Sequence, residues 1–136
     1  MLAIVDTGPL YAAVDADDAD HERCLAALHA PGLRLVIPSL VVAEATYLIA
    51  SRMDARIEAR FLRGLAELDV ESPSPEDFVR MSELVEQYES FPLGGTDASV
   101  VALAERLDTP CVVTLDVRHF GAIKPRHCDA FQLLPE

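Results

Sequence analysis

The chain has 136 residues, of which 51% are hydrophobic and 25% charged, and its formal net charge is -12. This size and composition indicate one globular domain, residues 1–136, and exclude a disordered chain. The three cysteines are far apart and form no C-x-x-C pair, so neither a disulfide framework nor a zinc site is indicated, and a reducing cytoplasm is the expected location. No uncharged apolar stretch is long enough to cross a membrane, and Asp6 interrupts the first apolar run, so we expect no signal peptide.

Short apolar runs alternate with longer segments of helical period along the chain. The predicted strands are LAIVD at the start, RLVIP at 34–38, DVES near 69, CVVTLD at 111–116 and AFQLL at 130–134. Five segments have helical period: HERCLAAL, SLVVAEATYLIA, DARIEARFLRGLAEL, PEDFVRMSELVEQY and TDASVVALAERL. This alternation predicts an α/β fold of three α/β/α layers with a central parallel sheet, which is a Rossmann-like arrangement.

Local signals predict where some of these elements begin. Ser74 followed by Pro75 and, three residues on, Asp77 predicts a capped helix start, and Thr96 is expected to cap the last long helix. We expect Gly8 and Pro9 to form the turn after the first strand. The segments 15–20 and 90–95 are predicted loops.

Two acids follow apolar strands directly. Asp6 ends the first strand and Asp116 ends CVVTLD, so both are expected at the carboxyl edge of the sheet, where ligands bind in open α/β folds. An aspartate there can also cap the following helix, and for either residue alone capping and function are equally supported.

Two further acids lie on helices. Glu44 is the only charged residue between Arg34 and Arg52, and its spacing from Leu40 and Leu48 predicts that it faces the core. Asp97 lies near the start of its helix and repeats this pattern. It is weaker evidence for a site, because an acid in a first helical turn is also stabilised by the helix dipole.

The four acids could converge at one end of the sheet. Such a cluster requires either protons on some carboxylates or a cation among them. Oxygen ligands select hard ions, and no Cys or His is placed to favour zinc, so Mg²⁺ or Mn²⁺ is the expected ion.

The motifs around these acids resemble one family. Asp6-Thr7 after a first strand, Glu44 in PSLVVAE, Asp97 in TDA and Asp116 in TLDVRHF are similar to the PIN-domain ribonucleases, and most closely to the VapC-type toxins of bacterial toxin-antitoxin pairs. The resemblance covers essentially the whole chain in length, motif order and alternation of elements. It implies an endoribonuclease that cleaves RNA with one or two Mg²⁺ or Mn²⁺ ions.

The resemblance also implies roles for individual residues. All four acids match the family's acidic positions, with Asp6 and Asp97 as principal ligands and Glu44 and Asp116 binding the ion directly or through water, or orienting the attacking water. Thr7 and Thr114 either hydrogen-bond these carboxylates or cap the backbone at the strand ends, and the sequence leaves both alternatives open.

Two basic groups have no motif support. Arg118, two residues beyond Asp116, could contact substrate phosphate as part of a basic group that includes His119. Arg56, Arg60 and Arg63 share one helical face and could bind RNA or an acidic partner. A solvated surface is the more common explanation for either group.

The resemblance further implies a VapB-type antitoxin and a homodimer, and it leaves the RNA target open. The alternative function is a catalytically silent PIN-like domain that binds RNA or protein, although such domains typically lose one or more acids. The Asp-Thr-Gly triplet also occurs in aspartic proteases, but those proteins are built almost entirely of strands. A haloacid-dehalogenase phosphatase needs a second aspartate where this chain has Gly8.

Overall fold

The computed structural model describes all residues 1–136. It contains five strands and seven helices in the order β1 (Leu2–Val5), α1 (Thr7–Val14), α2 (His21–Leu28), β2 (Arg34–Pro38), α3 (Ser39–Arg52), α4 (Ala55–Leu65), β3 (Asp69–Glu71), α5 (Pro75–Gln87), α6 (Gly95–Arg106), β4 (Cys111–Val113), α7 (Val117–Ala122) and β5 (Gln132–Leu134). The predicted α/β fold is confirmed, since helices enclose a single parallel sheet as in other α/β/α domains. No helix of the protein is long and apolar enough to span a bilayer.

The sheet has the strand order β3-β2-β1-β4-β5, and every pair is parallel. The first strand along the chain therefore lies at the centre, between β2 and β4. Its residues Ala3, Ile4 and Val5 are fully buried, as expected for a strand that is covered on both faces.

The register of the central strands places functional side chains next to one another. Val5 of β1 pairs with Val113 of β4, and the ladder continues with a 2.9 Å hydrogen bond from Asp6 N–H to the Val113 carbonyl. The residues that follow the two strands, Asp6 and Thr114, consequently emerge side by side at the carboxyl edge of the sheet.

Two local predictions of helix starts have different outcomes. The start of α5 is confirmed, because Ser74 Oγ accepts from Asp77 N–H and the Asp77 carboxylate accepts from Ser74 N–H, each at 3.0 Å. The Thr96 cap is wrong, since α6 begins at Gly95 and its N-cap is Gly94. Thr96 therefore lies inside the first turn.

The expected turn at Gly8 and Pro9 is also wrong. Helix α1 begins at Thr7, directly after the strand, and includes both residues. Proline is tolerated in a first turn because an N–H at that position has no acceptor within the helix. The abrupt change from strand to helix keeps Asp6 and Thr7 at the sheet edge.

Candidate metal centre

The structure brings the four predicted acids to one groove at the carboxyl edge of the sheet. Asp6 follows β1, Asp116 follows β4, Glu44 lies on α3 and Asp97 lies in the first turn of α6. The groove has a volume of about 490 Å³, and its lining also includes Thr7, Gly8, Leu48 and Leu115. Residues that are separated by up to 110 positions in the chain thus share one surface.

Asp6 is the most buried of the four acids, with 6% of its surface exposed. It occupies the N-cap position of α1 but makes no side-chain capping hydrogen bond. Its Oδ2 accepts a 2.8 Å hydrogen bond from Thr114 Oγ1 instead. Burial raises the pKa of Asp6 above its ordinary value, although the Thr114 hydroxyl opposes this change. Helix capping therefore does not explain this aspartate.

Asp116 caps a helix, which is one of the two roles that the sequence left open, and it also lines the groove. Its Oδ1 accepts from His119 N–H at 3.0 Å and so caps α7, while the same carboxylate borders the groove. Thr114 joins Asp116 to Asp6, because the Thr114 hydroxyl that donates to Asp6 also accepts from Asp116 N–H at 2.9 Å. Thr114 accordingly makes both of the contacts predicted for it.

Glu44 does not face the core, so this part of the prediction is wrong. The buried residues of α3 are Val41, Ala45 and Ile49, whereas Glu44 is exposed. Successive side chains on a helix point about 100° apart, so Glu44 does not share the buried direction of its neighbour Ala45. Glu44 borders the groove and is more exposed than Asp6.

Asp97 carries the clearest electrostatic effect of the surrounding acids. Its pKa is raised from 3.8 to about 6, first by burial and then by the negative charges of Asp6 and Asp116. The positive charge of His119 opposes this change but does not cancel it. A carboxylate with neighbours of like charge holds its proton to higher pH unless a cation offsets the repulsion.

Thr7 differs from Thr114 although both hydroxyls lie beside Asp6. Its Oγ1 is buried and has no hydrogen-bond partner, so neither contact predicted for it is present. A buried hydroxyl without a partner costs about 1–3 kcal/mol. Thr7 also borders the groove, and its oxygen is the one buried side-chain polar atom of the protein without a hydrogen-bond partner.

These residues fit a hard divalent cation that keeps part of its water shell. No group of three or more His, Cys, Asp or Glu side chains is arranged to enclose a metal ion by itself. Mg²⁺ is usually held by one or two carboxylates, with water and substrate phosphate completing an octahedron. The crowded acids and the unpaired Thr7 hydroxyl are consistent with such a partial site.

His119 and Arg118, which follow Asp116, have specific contacts. The ring of His119 lies between Asp116 and the Pro92 carbonyl, a contact that sequence reasoning missed. His119 lies three residues after Asp116, and this spacing is the local signal that could have indicated the contact between the two side chains. Arg118 is exposed, and its guanidinium lies 5.5 Å from the Phe91 ring centre, outside the groove lining.

Comparison with known proteins agrees with this geometry. The sequence model of the PIN domain matches residues 3–124. The chain belongs to the PIN-domain family. Ribonuclease VapC26 of Mycobacterium tuberculosis is 33% identical to this PIN-domain chain over 134 residues, which cover 97% of the chain and 99% of that relative. The similarity to VapC-type proteins expected from the motifs is confirmed.

Solved structures support the PIN-domain fold at lower sequence identity. VapC20 of Mycobacterium tuberculosis, a toxin that cleaves the sarcin-ricin loop, has a TM-score of 0.74 at 18% identity, covering 82% of this chain and 87% of that one. VapBC2 of Rickettsia felis, bound to a promoter DNA fragment, has a TM-score of 0.71 at 20% identity, covering 98% and 97%. A toxin-antitoxin complex of Klebsiella pneumoniae has a TM-score of 0.69 at 19% identity, covering 89% and 92%.

Proposed function

We propose that this protein is a divalent-metal-dependent endoribonuclease and the toxin of a toxin-antitoxin pair. The observation that carries the proposal is the groove in which Asp6, Glu44, Asp97 and Asp116 meet beside the unpaired Thr7 hydroxyl. Membership of the PIN-domain family and the 33% identity to a VapC ribonuclease support the same activity.

The surroundings of the four acids suggest a role for each of them. Asp6, the most buried of the acids, and Asp97, whose pKa is raised by burial and by the other acids, would hold Mg²⁺ or Mn²⁺, with one or two ions possible in a groove of this size. A bound ion would lower the pKa of a water molecule and offset negative charge on the scissile phosphate. Glu44, which is exposed, is suited to orient the attacking water, and Asp116 to bind through water.

The remaining residues would keep this arrangement in place. Thr114 fixes the Asp6 carboxylate by its 2.8 Å hydrogen bond, a role that groups around metal ligands often have. Thr7 would donate or accept a hydrogen bond in the ion's water shell. Arg118 is exposed two residues beyond Asp116, and its guanidinium would contact RNA phosphate.

The toxin role implies a partner that covers the groove. A VapB-type antitoxin that inserts a cationic side chain among the four carboxylates would offset their repulsion and exclude RNA at the same time. The names of the relatives support this role, whereas a homodimeric toxin is proposed from the family resemblance alone. The RNA sequence that is cleaved does not follow from these residues.

The decisive experiment compares Asp6→Asn with the unchanged protein on a structured RNA. We expect Mg²⁺- or Mn²⁺-dependent cleavage that stops with chelator, and loss of cleavage in Asp6→Asn with the fold retained, because the amide lacks the ligand charge. Asp17→Asn, which removes an exposed acid of the 15–20 loop, is the matched control and should cleave normally.

Two other results would contradict the proposal. Equal cleavage by Asp6→Asn and the unchanged protein would show that the groove is not the active site. RNA binding without cleavage in either ion would support the catalytically silent binding domain instead. Growth arrest on expression in a bacterial host, absent for Asp6→Asn, tests the toxin role separately.

A further inference from the structure

The ring of His119 is held between two oxygen acceptors. Its Nδ1 lies 2.8 Å from Asp116 Oδ2, and its Nε2 lies 3.1 Å from the carbonyl oxygen of Pro92. A carboxylate and a backbone carbonyl both accept hydrogen bonds and cannot donate them. The ring therefore contacts a hydrogen-bond acceptor at each of its two nitrogens.

The two acceptors belong to different parts of the metal centre. Asp116 caps α7 on one side of the groove. Pro92 lies in the connection between α5 and α6, two residues before Gly94, which is the N-cap of α6. Asp97 is in the first turn of that helix, so His119 joins the element that carries one acid to the start of the element that carries another.

Aromatic packing limits the freedom of this junction. The ring of Phe91 meets His119 edge-on, with centroids 4.6 Å apart and an interplanar angle of 85°. On the same connection, Phe91 N–H and Leu93 N–H both donate to the Tyr88 carbonyl, at 3.0 and 3.3 Å. The segment 91–94 thus has one anchor at the end of α5 and a second at the His119 ring.

We propose that His119 is a positioning residue that sets the separation of Asp116 and Asp97 across the groove. It is absent from the groove lining and so acts through its two hydrogen bonds rather than by contact with the ion or the RNA. The effect on metal binding rests on the proposed function, whereas the link between Asp116 and segment 91–94 does not.

Three substitutions separate the two bonds. In His119→Asn the amide nitrogen replaces Nδ1 and can still donate to Asp116, while the bond to Pro92 is lost. In His119→Gln the longer side chain places its amide nitrogen near the position of Nε2, so the bond to Pro92 is retained and the bond to Asp116 is lost. His119→Ala removes both bonds.

The readouts are Mn²⁺ affinity by titration calorimetry and hydrogen exchange of the amides of residues 93–97. Loss of a group that orients a metal ligand typically weakens metal binding about 10–100-fold, so we expect losses in that range for His119→Ala and His119→Gln, and about threefold or less for His119→Asn. Exchange should accelerate in His119→Ala and His119→Asn but stay slow in His119→Gln. His29→Asn, at the exposed C-cap position after α2, should leave both readouts unchanged.

Melting temperatures of the variants distinguish positioning from a general structural role. If all three substitutions weaken Mn²⁺ binding equally and in proportion to lost stability, the proposal is wrong. Unchanged exchange and affinity in His119→Ala would also overturn it. If the unchanged protein binds no Mn²⁺, the proposed metal centre fails, and the exchange data alone decide whether His119 joins Asp116 to segment 91–94.

Discussion

The two threonine hydroxyls beside Asp6 have opposite surroundings. Thr114 Oγ1 donates to Asp6 and accepts from Asp116 N–H, whereas Thr7 Oγ1 is buried without a partner. In the protein without metal, the first hydroxyl contributes to stability and the second costs free energy. The same substitution at the two positions should therefore have different effects.

We predict that Thr114→Val lowers the free energy of unfolding by about 1.5–3 kcal/mol, because a hydrogen bond to a charged group is lost. Thr7→Val should leave it unchanged or raise it by about 1 kcal/mol, since no hydrogen bond is lost and an unpaired hydroxyl is removed. Urea unfolding in chelator measures both values. A Thr7→Val protein that is clearly destabilised would mean that this hydroxyl has a partner in the folded chain.

Activity should not follow stability in this pair. Thr7→Val is expected to cleave RNA more slowly despite its unimpaired fold, because its hydroxyl would meet the ion's water shell. Cleavage assays under saturating Mn²⁺ compare it with the unchanged protein. Full activity in Thr7→Val would remove this residue from the metal centre.

Single residues also show where sequence reasoning reaches its limit. Asp6 and Asp116 could be placed at the sheet edge because each ends an apolar run that predicts a strand. The side of α3 on which Glu44 lies could not be predicted. A shift of one residue changes the side of the helix, and apolar residues occupy both sides of α3. The contact of His119 with Pro92 joins residues 27 positions apart and has no local signal.

At the scale of elements, α5 and α6 are joined by a nearly buried ion pair. Arg80 Nε and Nη2 donate to the two carboxylate oxygens of Glu105 at 2.8 and 2.9 Å, and the side chains are 12% and 10% exposed. Burial alone would raise the pKa of Glu105, but the hydrogen bonds from Arg80 and from Arg126 N–H lower it overall. This pair fixes the helix that carries Asp97 against its neighbour.

Removing one partner should be far more harmful than removing both. We expect Arg80→Met to lower the free energy of unfolding by about 3–5 kcal/mol, because it leaves the Glu105 charge buried and unpaired. Arg80→Met with Glu105→Leu should recover most of this loss, since an apolar pair needs no compensation. A double-mutant cycle in urea checks both values, and a double variant as unstable as the single one would contradict the argument.

Helix starts illustrate which elements the sequence determines. Ser74 and Asp77 hydrogen-bond each other's backbone N–H within four consecutive residues, so the cap of α5 can be predicted from the sequence. The start of α6 follows two glycines, and Thr96 could cap it only if the helix began later. The backbone N–H of Ala98 donates to Gly94, which extends the helix to Gly95.

At the scale of the whole molecule, the acidic groove should make stability depend on pH and on metal. Asp97 has a pKa of about 6 in the folded protein against 3.8 for the unfolded chain. Between these values the folded state holds a proton that the unfolded state lacks. The contribution of Asp97 to the free energy of unfolding is therefore full below about pH 3.8 and is lost as the pH rises through 6.

We therefore predict that Mn²⁺ raises the melting temperature more at pH 7.5 than at pH 5. At the lower pH the ion must displace the Asp97 proton, whereas at the higher pH it relieves repulsion among ionised carboxylates. Calorimetric scans with and without Mn²⁺ measure the difference. Asp97→Asn, which has no proton to displace, is the control, and an effect of Mn²⁺ equal at both pH values would refute the role of Asp97.

The overall architecture was predictable because it depends on the alternation of apolar runs with helical segments and not on exact contacts. Continuous apolar runs separated by helical segments predict a parallel sheet, and the comparison with known PIN domains agrees. The strand order could not be read in the same way, since which strands become neighbours depends on how helices cross the sheet. That order nevertheless decides which acids meet.

The central place of β1 has a consequence for how the protein is made. The ribosome synthesises β1 before β2 and β4, so β1 lacks one of its neighbours until β4 emerges, and Thr114 N–H pairs with the Leu134 carbonyl only when β5 has followed. The groove can therefore form only after β4 and Asp116 have left the exit tunnel. A nascent chain interrupted before residue 111 would carry three of the four acids and still lack the strand that places Thr114 beside Asp6.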